Sequence, residues 1–530
     1  MRVLFSLIVA LSVVATACVG GVGDVTGTDP TTTSQPPGST DSTVPGDPGT
    51  PGSESTTTVP EVPLHQWVDR RTVGQPWGDA VEGLLTFRGN PTNTWYGTGP
   101  VPQSPSVAWR YPDAPMCSES TDLGTTSTWC GNGWTGQPVI WERPDGVTEM
   151  MFGAYDRKFH FVDANTGLAT RNPITTGDIV KGSPTLDPDG FPLVYFGSRD
   201  NKLRIAALDR AEPEVVWDFE ACLRNCPEPS DRVGLGGRWN DDWDAAPRIV
   251  NDLLFEGGEN SIYYIWKLNR GYDANGSVTV DPELVFSMET WDDELMAKIQ
   301  DGCTIGSRCV STSVESSTAI FEGRAYFGNS AGRIIGLDIT NVENGEAPVV
   351  FDYWVGDDVD ASIVIDEEGM LYVPVEWKRY LPRGRDLGQL VKLDPYTDGD
   401  PYVWGMYSIT EPPAQGGMWA TPALGEGVIY VATNKGFLVA VDRDTGEELW
   451  VHAIGARAWS SPVIVDDTLM VASRAGILHA FDLADPREPQ PLWTLPIGDA
   501  SLLATPAVWK GRIYIASTDG YMYAVADSGS

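Results

Sequence analysis

From about residue 85 onward the chain alternates short apolar runs with Gly, Asp and Asn turns. Runs of this length, bounded by turn residues, predict β-strands joined by tight connections. The clearest stretch reads Thr421-Pro-Ala-Leu, Val428-Ile-Tyr-Val-Ala-Thr433, Gly436-Phe-Leu-Val-Ala-Val-Asp442, Thr445-Gly446 and Trp450. A second copy starts at Ser461-Pro-Val-Ile, passes through Leu469-Met-Val-Ala-Ser473 and Gly476-Ile-Leu-His-Ala-Phe-Asp482, and closes on Trp493. A third starts at Thr505-Pro-Ala-Val and ends at Asp527.

The same order of parts extends upstream. Third strands are predicted to end at Asp163, Asp209, Asn269, Asp338, Asp394, Asp442, Asp482 and Asp527. The matching strand starts are Gln137-Pro138, Ser183-Pro184, Ala246-Pro247, Ser317-Thr318, Ala361-Ser362, Thr421-Pro422, Ser461-Pro462 and Thr505-Pro506. Closing aromatics fall at Trp217, Phe286, Phe351, Trp404, Trp450 and Trp493. The last unit stops too early for a fourth strand, while Pro105-Ser-Val-Ala-Trp109-Arg-Tyr111 is a closing strand without a preceding three. An all-β ring of eight four-stranded blades follows, with the N-terminal strand completing the last blade, which leaves only short, protected edges.

The pattern of two strands, then G-x-L-x-A-hydrophobic-Asp, then T-G-x-x-x-W resembles the quinoprotein-type repeat of eight-bladed propellers. The resemblance covers about residues 85–527, and Phe87-Arg-Gly-Asn90 is similar to the lead-in of such propellers. It implies one of two activities. Family members that are alcohol or sugar dehydrogenases stack pyrroloquinoline quinone between a tryptophan and, in the typical alcohol enzymes, a disulfide of adjacent cysteines. They hold Ca²⁺ with Glu, Asn and Asp and use a further Asp as base. Others, such as the lipoprotein of the outer-membrane assembly machinery, bind no cofactor and act as scaffolds. This sequence has no adjacent cysteines and no C-x-x-C-H haem motif. A tethered binding or docking module without a cofactor is therefore expected, with a quinone- and Ca²⁺-dependent dehydrogenase as the alternative; fold alone does not choose between them.

The first residues change the picture of location. Arg2 precedes an apolar run from Val3 to Val14, too short to span a bilayer comfortably, and Ala15-Thr-Ala-Cys18 follows. This is the layout of an export signal. Small residues before Cys18 resemble the bacterial lipobox, with Ala15 where Leu is usual. Residues 1–18 are thus expected to form a lipoprotein signal with Cys18 acylated. Residues 19–63, rich in Gly, Ser, Thr and Pro and without Lys or Arg, are expected to be a disordered tether. A lead-in segment covers 64–103 and the propeller 104–527. The expected location is extracytoplasmic, anchored to the cell membrane or envelope by lipid. A net charge of −37 with few basic clusters argues against a nucleic-acid partner.

Of seven cysteines, the six besides Cys18 fall as three close pairs. In an oxidising compartment these are expected to be local disulfides, Cys117–Cys130, Cys222–Cys226 and Cys303–Cys309. Zinc is the other use of such residues, but the spacings do not recur and His65, His160, His452 and His479 lie far from them.

Residues just before each first strand crowd the mouth of the central channel. Two positions ahead of the strand starts stand Thr135, Lys181, Asp244, Glu315, Val359, Trp419, Trp459 and Leu503, and Asp360 lies one ahead of its start. Lys181, Asp244, Glu315, Asp360, Trp419 and Trp459 are the candidate ligand-contacting residues. Converging carboxylates suit Ca²⁺, and tryptophan faces suit a flat ring or sugar; alternatively the acids plug a wet channel, balanced by Lys181. Asp187-Pro-Asp189-Gly190 and Asp394…Asp398-Gly-Asp400 resemble calcium loops without a full ligand set, and His160 and His479 are expected in the core. The long segments 219–243, 287–315 and 376–389 exceed hairpin length. They are candidate docking surfaces for an envelope protein.

Overall fold

A computed structural model describes residues 68–78, 80–122, 125–133, 136–221, 241–407 and 416–529. Eight antiparallel blades follow one another around a ring. Blade 1 is built on Val139–Glu142, Thr148–Ala154, Lys158–Asp163 and the short Ile174–Thr175, and blade 7 on Val463–Val465, Thr468–Ser473, Ile477–Asp482 and Gln490–Pro496. Blade 8 takes its first three strands from Ala507–Trp509, Arg512–Ser517 and Tyr521–Asp527, and its outer strand from Pro105–Tyr111. That strand pairs Pro105 with Asp527 and Trp109 with Ala524. The ring therefore closes on the N-terminal strand, as the sequence pattern predicts. Cys18, the tether and the pair Cys222 and Cys226 lie outside the described residues. Among the described residues no helix is long and apolar enough to cross a membrane.

The closing aromatics share one register. Trp217, Phe286, Phe351, Trp404, Trp450 and Trp493 each stand opposite the third-strand residue at which the fourth strand bulges. An extra residue on the outer strand bends it and re-aims its side chains, which turns the aromatic toward the next blade. Trp404 donates its indole N–H to the Arg443 carbonyl of blade 6 at 3.1 Å and lies over Gly446. Trp109 repeats this across the closure, donating to the Ala164 carbonyl of blade 1 at 3.3 Å. The Thr-Gly turn of the repeat is thus the seat of the neighbouring blade's tryptophan. The strand-ending Asp caps that turn: Asp442 Oδ1 accepts the N–H groups of Asp444 and Thr445. Three of the eight predicted ends differ. The third strands of blades 2, 3 and 5 stop at Ala207, Lys267 and Leu393, before Asp209, Asn269 and Asp394. Asp209 instead accepts the N–H of Val278 in a hairpin inserted in blade 3.

Ser and Thr at the strand starts form a belt. The N–H of Gln137 donates to Ser183 Oγ, that of Ala246 to Ser317, Ser317 to Ser362, Ser362 to Thr421, Thr421 to Ser461 and Ser461 to Thr505. At these positions no further strand offers a carbonyl, so the hydroxyl satisfies a buried donor that would otherwise be stranded. The belt also sets the register of blade 5: Ser362, not Ala361, is its equivalent residue.

The lead-in segment runs inside the ring. Gly83–Leu84 pairs with blade 1, the Pro91 carbonyl accepts from Ile320 of blade 4, the Thr92 carbonyl from Ile365 of blade 5, and Gly97–Thr98 pairs with blade 8. Inward-pointing carbonyls are satisfied here by buried side chains. Arg88 donates to the carbonyls of Pro462 and Pro422 at 2.5 and 2.6 Å. Arg248 donates to that of Thr318 at 3.1 Å and Asn93 to that of Ile363 at 2.7 Å. Burial pulls Arg88 down to about 10 and Arg248 to about 9. The axis of the ring is filled at this level.

Candidate functional site

Two layers of side chains from successive blades build the channel mouth. The belt fixes the first layer, two residues before each belt position: Lys181, Asp244, Glu315, Asp360, Trp419, Trp459 and Leu503. The predicted Val359 does not belong to it. With blade 5 shifted by one residue, Asp360 takes that place and Val359 packs on Gly328 of blade 4, as Val314 packs on Gly257 of blade 3. The second layer comes from turns after the second strands and contains Tyr155, Arg199, Glu259, Ser330, Glu376, Asn434 and Arg474. Sequence reasoning missed it because those turns were read only as punctuation. They all fall one or two residues after the end of the second strand, a signal that could have found them.

Each acidic group gathers around a lysine. Lys181 Nζ lies 2.9 Å from Asp242 and 3.1 Å from Glu259, and it also pairs with Asp244. Arg199 adds a 2.6 Å bond to Asp242. In blade 5 Lys378 Nζ lies 2.5 Å from Asp358, 3.2 Å from Asp360 and 3.3 Å from Glu376. Burial opposes both ammonium groups and Arg199 repels Lys181, but the surrounding carboxylates hold both lysines well above their ordinary value. Lys378 was not among the predicted residues, because it sits in the long insert of blade 5.

Glu315 stands between the two groups. It accepts a 3.0 Å bond from Ser313, which shares a 2.7 Å bond with Ser330, and Ser330 donates to Asp360 at 3.0 Å. Burial, then the charges of Asp360 and Asp244, push the Glu315 carboxyl well above the usual range. Burial and the Asp360 charge also raise Asp358, to about 7. Burial pushes Asp360 up, but the charge of Lys378 together with hydrogen bonds from Asp358, Lys378 and Ser330 holds it below its ordinary value.

The aromatic side of the mouth is less open than the sequence suggests. Trp419 and Trp459 stack on each other, centroids 4.0 Å apart at 26°. Arg474 lies 4.2 Å over Trp459 and Lys378 5.5 Å over Trp419, while the Trp459 indole donates to Asn434 at 2.9 Å. Trp459 is covered on both faces, so a flat ring must displace Arg474 to reach it.

The loops around the mouth are fastened to it. Cys117 and Cys130 are bonded and face each other across the hairpin Cys117–Asp122 and Thr125–Cys130, whose Ser118 and Trp129 contact Tyr155. Cys303 and Cys309 are bonded within the blade 3 to 4 insert. Arg379 ties that insert to 376–389, donating to the carbonyls of Arg308, Ser311 and Ser330 at 2.9, 2.9 and 2.5 Å. Of segment 219–243, residues 222–240 lie outside the described ones. Asp187 and Asp189 are not a calcium loop: Arg270 bonds both, at 2.7 and 2.8 Å. Asp394 caps its own turn. His160 and His479 are buried, as predicted for core residues.

Residues 388–530 match the family model described as outer membrane protein assembly factor BamB. A europium-containing methanol dehydrogenase aligns at 13% identity and a TM-score of 0.52, over 84% of this chain and 98% of that one. The quinohemoprotein alcohol dehydrogenase of Comamonas testosteroni aligns at 14% identity and a TM-score of 0.51, over 88% and 84%. BamB from Moraxella catarrhalis aligns at 11% identity and a TM-score of 0.36, over 81% and 98%. No curated protein matches the sequence. The chain is an eight-bladed propeller with the PQQ-like repeat, and a likeness at these identities is one of fold. It does not choose between docking and oxidation.

Proposed function

We propose that this protein is an extracytoplasmic binding module, tethered by a lipid on Cys18, whose channel mouth recognises a ligand or a segment of an envelope protein without quinone chemistry. The observation that carries this reading is the pair of lysines at the centres of the carboxylate groups. Asp242, Asp244 and Glu259 converge on the Lys181 ammonium, and Asp358, Asp360 and Glu376 on that of Lys378. A divalent cation gathers oxygen ligands in just this manner, but here a fixed side-chain cation holds its place. The residues present therefore do not fit a Ca²⁺-supported quinone. Both tryptophans are stacked within the protein, and the sequence lacks the adjacent cysteines that would supply the other half of a cofactor sandwich.

The match of residues 388–530 to an assembly-factor family supports a docking role in the envelope. So do the disulfide-pinned loops beside the mouth, since loops held on a rigid frame often carry binding. Mass spectrometry of the intact protein from its native membrane tests the reading. The expected result is an acylated mature chain beginning at Cys18 and carrying no quinone. An unmodified cysteine would remove the tether, and a co-purifying quinone would overturn the non-catalytic reading.

A further inference from the structure

In a chain of net charge −37, arginines without an acidic partner stand out. Most arginines of the ring are paired with carboxylates or with backbone carbonyls. Arg457 and Arg474 have no carboxylate within ion-pair distance among the described residues. They are neighbours: the Arg474 N–H donates to the Arg457 carbonyl at 2.9 Å. Both belong to blade 7 at the mouth, Arg457 two residues before Trp459 and Arg474 in the second layer. Arg457 is exposed and Arg474 half-buried. Arg474 is also pre-positioned, its guanidinium 4.2 Å over Trp459, which is itself fixed by Trp419 and Asn434. Burial and the adjacent Arg457 charge pull Arg474 below its ordinary value. Two like charges held together on a rigid base favour an anion between them.

We propose that Arg457 and Arg474 form an anion subsite that takes the carboxylate or phosphate group of a small ligand; this rests on the mouth being a binding surface. A guanidinium fork matches either group bidentately. The ligand is small because the net charge of the whole chain repels polyanions such as nucleic acid or an acidic membrane, whereas a single anionic group feels chiefly the local pair. Its remaining atoms would extend over the edge of the tryptophan stack toward Glu315 and Lys378, which offer polar partners.

The test uses the full chain and two separate probes: line broadening of the ³¹P signal of inorganic phosphate, and saturation transfer to acetate protons. The native protein is expected to act on at least one of them, and the probe that responds identifies the anion. R474Q should weaken the response about tenfold or more, as the loss of a charge-assisted fork does, and R457Q/R474Q should abolish it. Because Arg474 also braces Trp459, R457Q alone is included: it leaves the stack in place and should still weaken binding about tenfold. Arg487→Gln, an exposed arginine on an outer turn, is the control and should leave binding unchanged. No response from the native protein, or an undiminished one in R457Q and the double variant, would overturn the subsite. Quinone-dependent turnover would defeat the reading of the mouth by a different measurement, so the two failures are distinguishable.

Discussion

Replacing Lys378 by Met tests whether the lysine stands in for a metal. Its ammonium lies 2.5, 3.2 and 3.3 Å from three carboxylates that are themselves at most 7% exposed, while Lys378 is 15% exposed. Removing one partner from a buried ionic group costs about 3–5 kcal/mol. The residual exposure of Lys378 places the expected loss near 3 kcal/mol at neutral pH. Without the ammonium, Asp358 and Glu376, whose carboxyls burial already raises, take up protons unless a hard cation replaces the lysine. Calcium at about one hundred times its dissociation constant should return about 2.7 kcal/mol. The assay is denaturant unfolding of parent and K378M with CaCl₂ or with NaCl at matched ionic strength. Calcium should stabilise the variant and leave the parent unchanged. A K378M chain as stable as its parent, or a parent stabilised by calcium as strongly as the variant, would refute the argument.

Other consequences are as concrete. Gly446 (φ +74°) and Gly427 (φ +65°) both occupy the left-handed region in blade 6, but an added Cβ meets the Trp404 ring at 2.6 Å only at Gly446. G427A should cost about 1–2 kcal/mol for its backbone, and G446A about 1–3 kcal/mol more for displacing the tryptophan; equal costs would dissociate the Thr-Gly turn from blade docking. Asp358 is raised to about 7, so its contribution to stability is present at acid pH and lost as pH rises through about 7. D358N should therefore flatten the fall in unfolding free energy between about pH 4 and pH 7, and a parent that gains on D358N with rising pH would contradict the assignment. Cys18→Ala should leave an unprocessed precursor or release soluble protein, and a variant processed and membrane-retained like the parent would remove the lipid anchor.

The ring was legible because its repeat encodes contacts. Thr445-Gly446 recurs as the seat of Trp404, Asp442 caps the turn that forms the seat, and Ser461 and Thr505 mark strand starts as members of a hydrogen-bonded belt. Blade 5 slipped by one residue because Ala361-Ser362 lacks the proline that follows the hydroxyl in blades 6, 7 and 8. The belt bonds from Ser317 to Ser362 and from Ser362 to Thr421 fix its register. The acidic arc and the tryptophans were visible as residues before strand starts. Lys378 was not, since its insert has no counterpart in the repeat and a lysine there signals nothing until Asp358, Asp360 and Glu376 surround it. Arg88 was visible only as part of a lead-in. Its role depends on the carbonyls of Pro422 and Pro462, more than three hundred residues away in sequence, and local patterning carries no trace of such a contact.

The claim that the mouth binds without oxidising is tested most directly by reconstitution. Purified protein is incubated with pyrroloquinoline quinone and Ca²⁺, freed of excess cofactor, and supplied with alcohols or sugars and an artificial electron acceptor. The account predicts no retained quinone and no acceptor reduction, because Lys181 and Lys378 occupy the carboxylate centres. Retained quinone with turnover that Asp244→Ala or Glu315→Ala abolishes would contradict it.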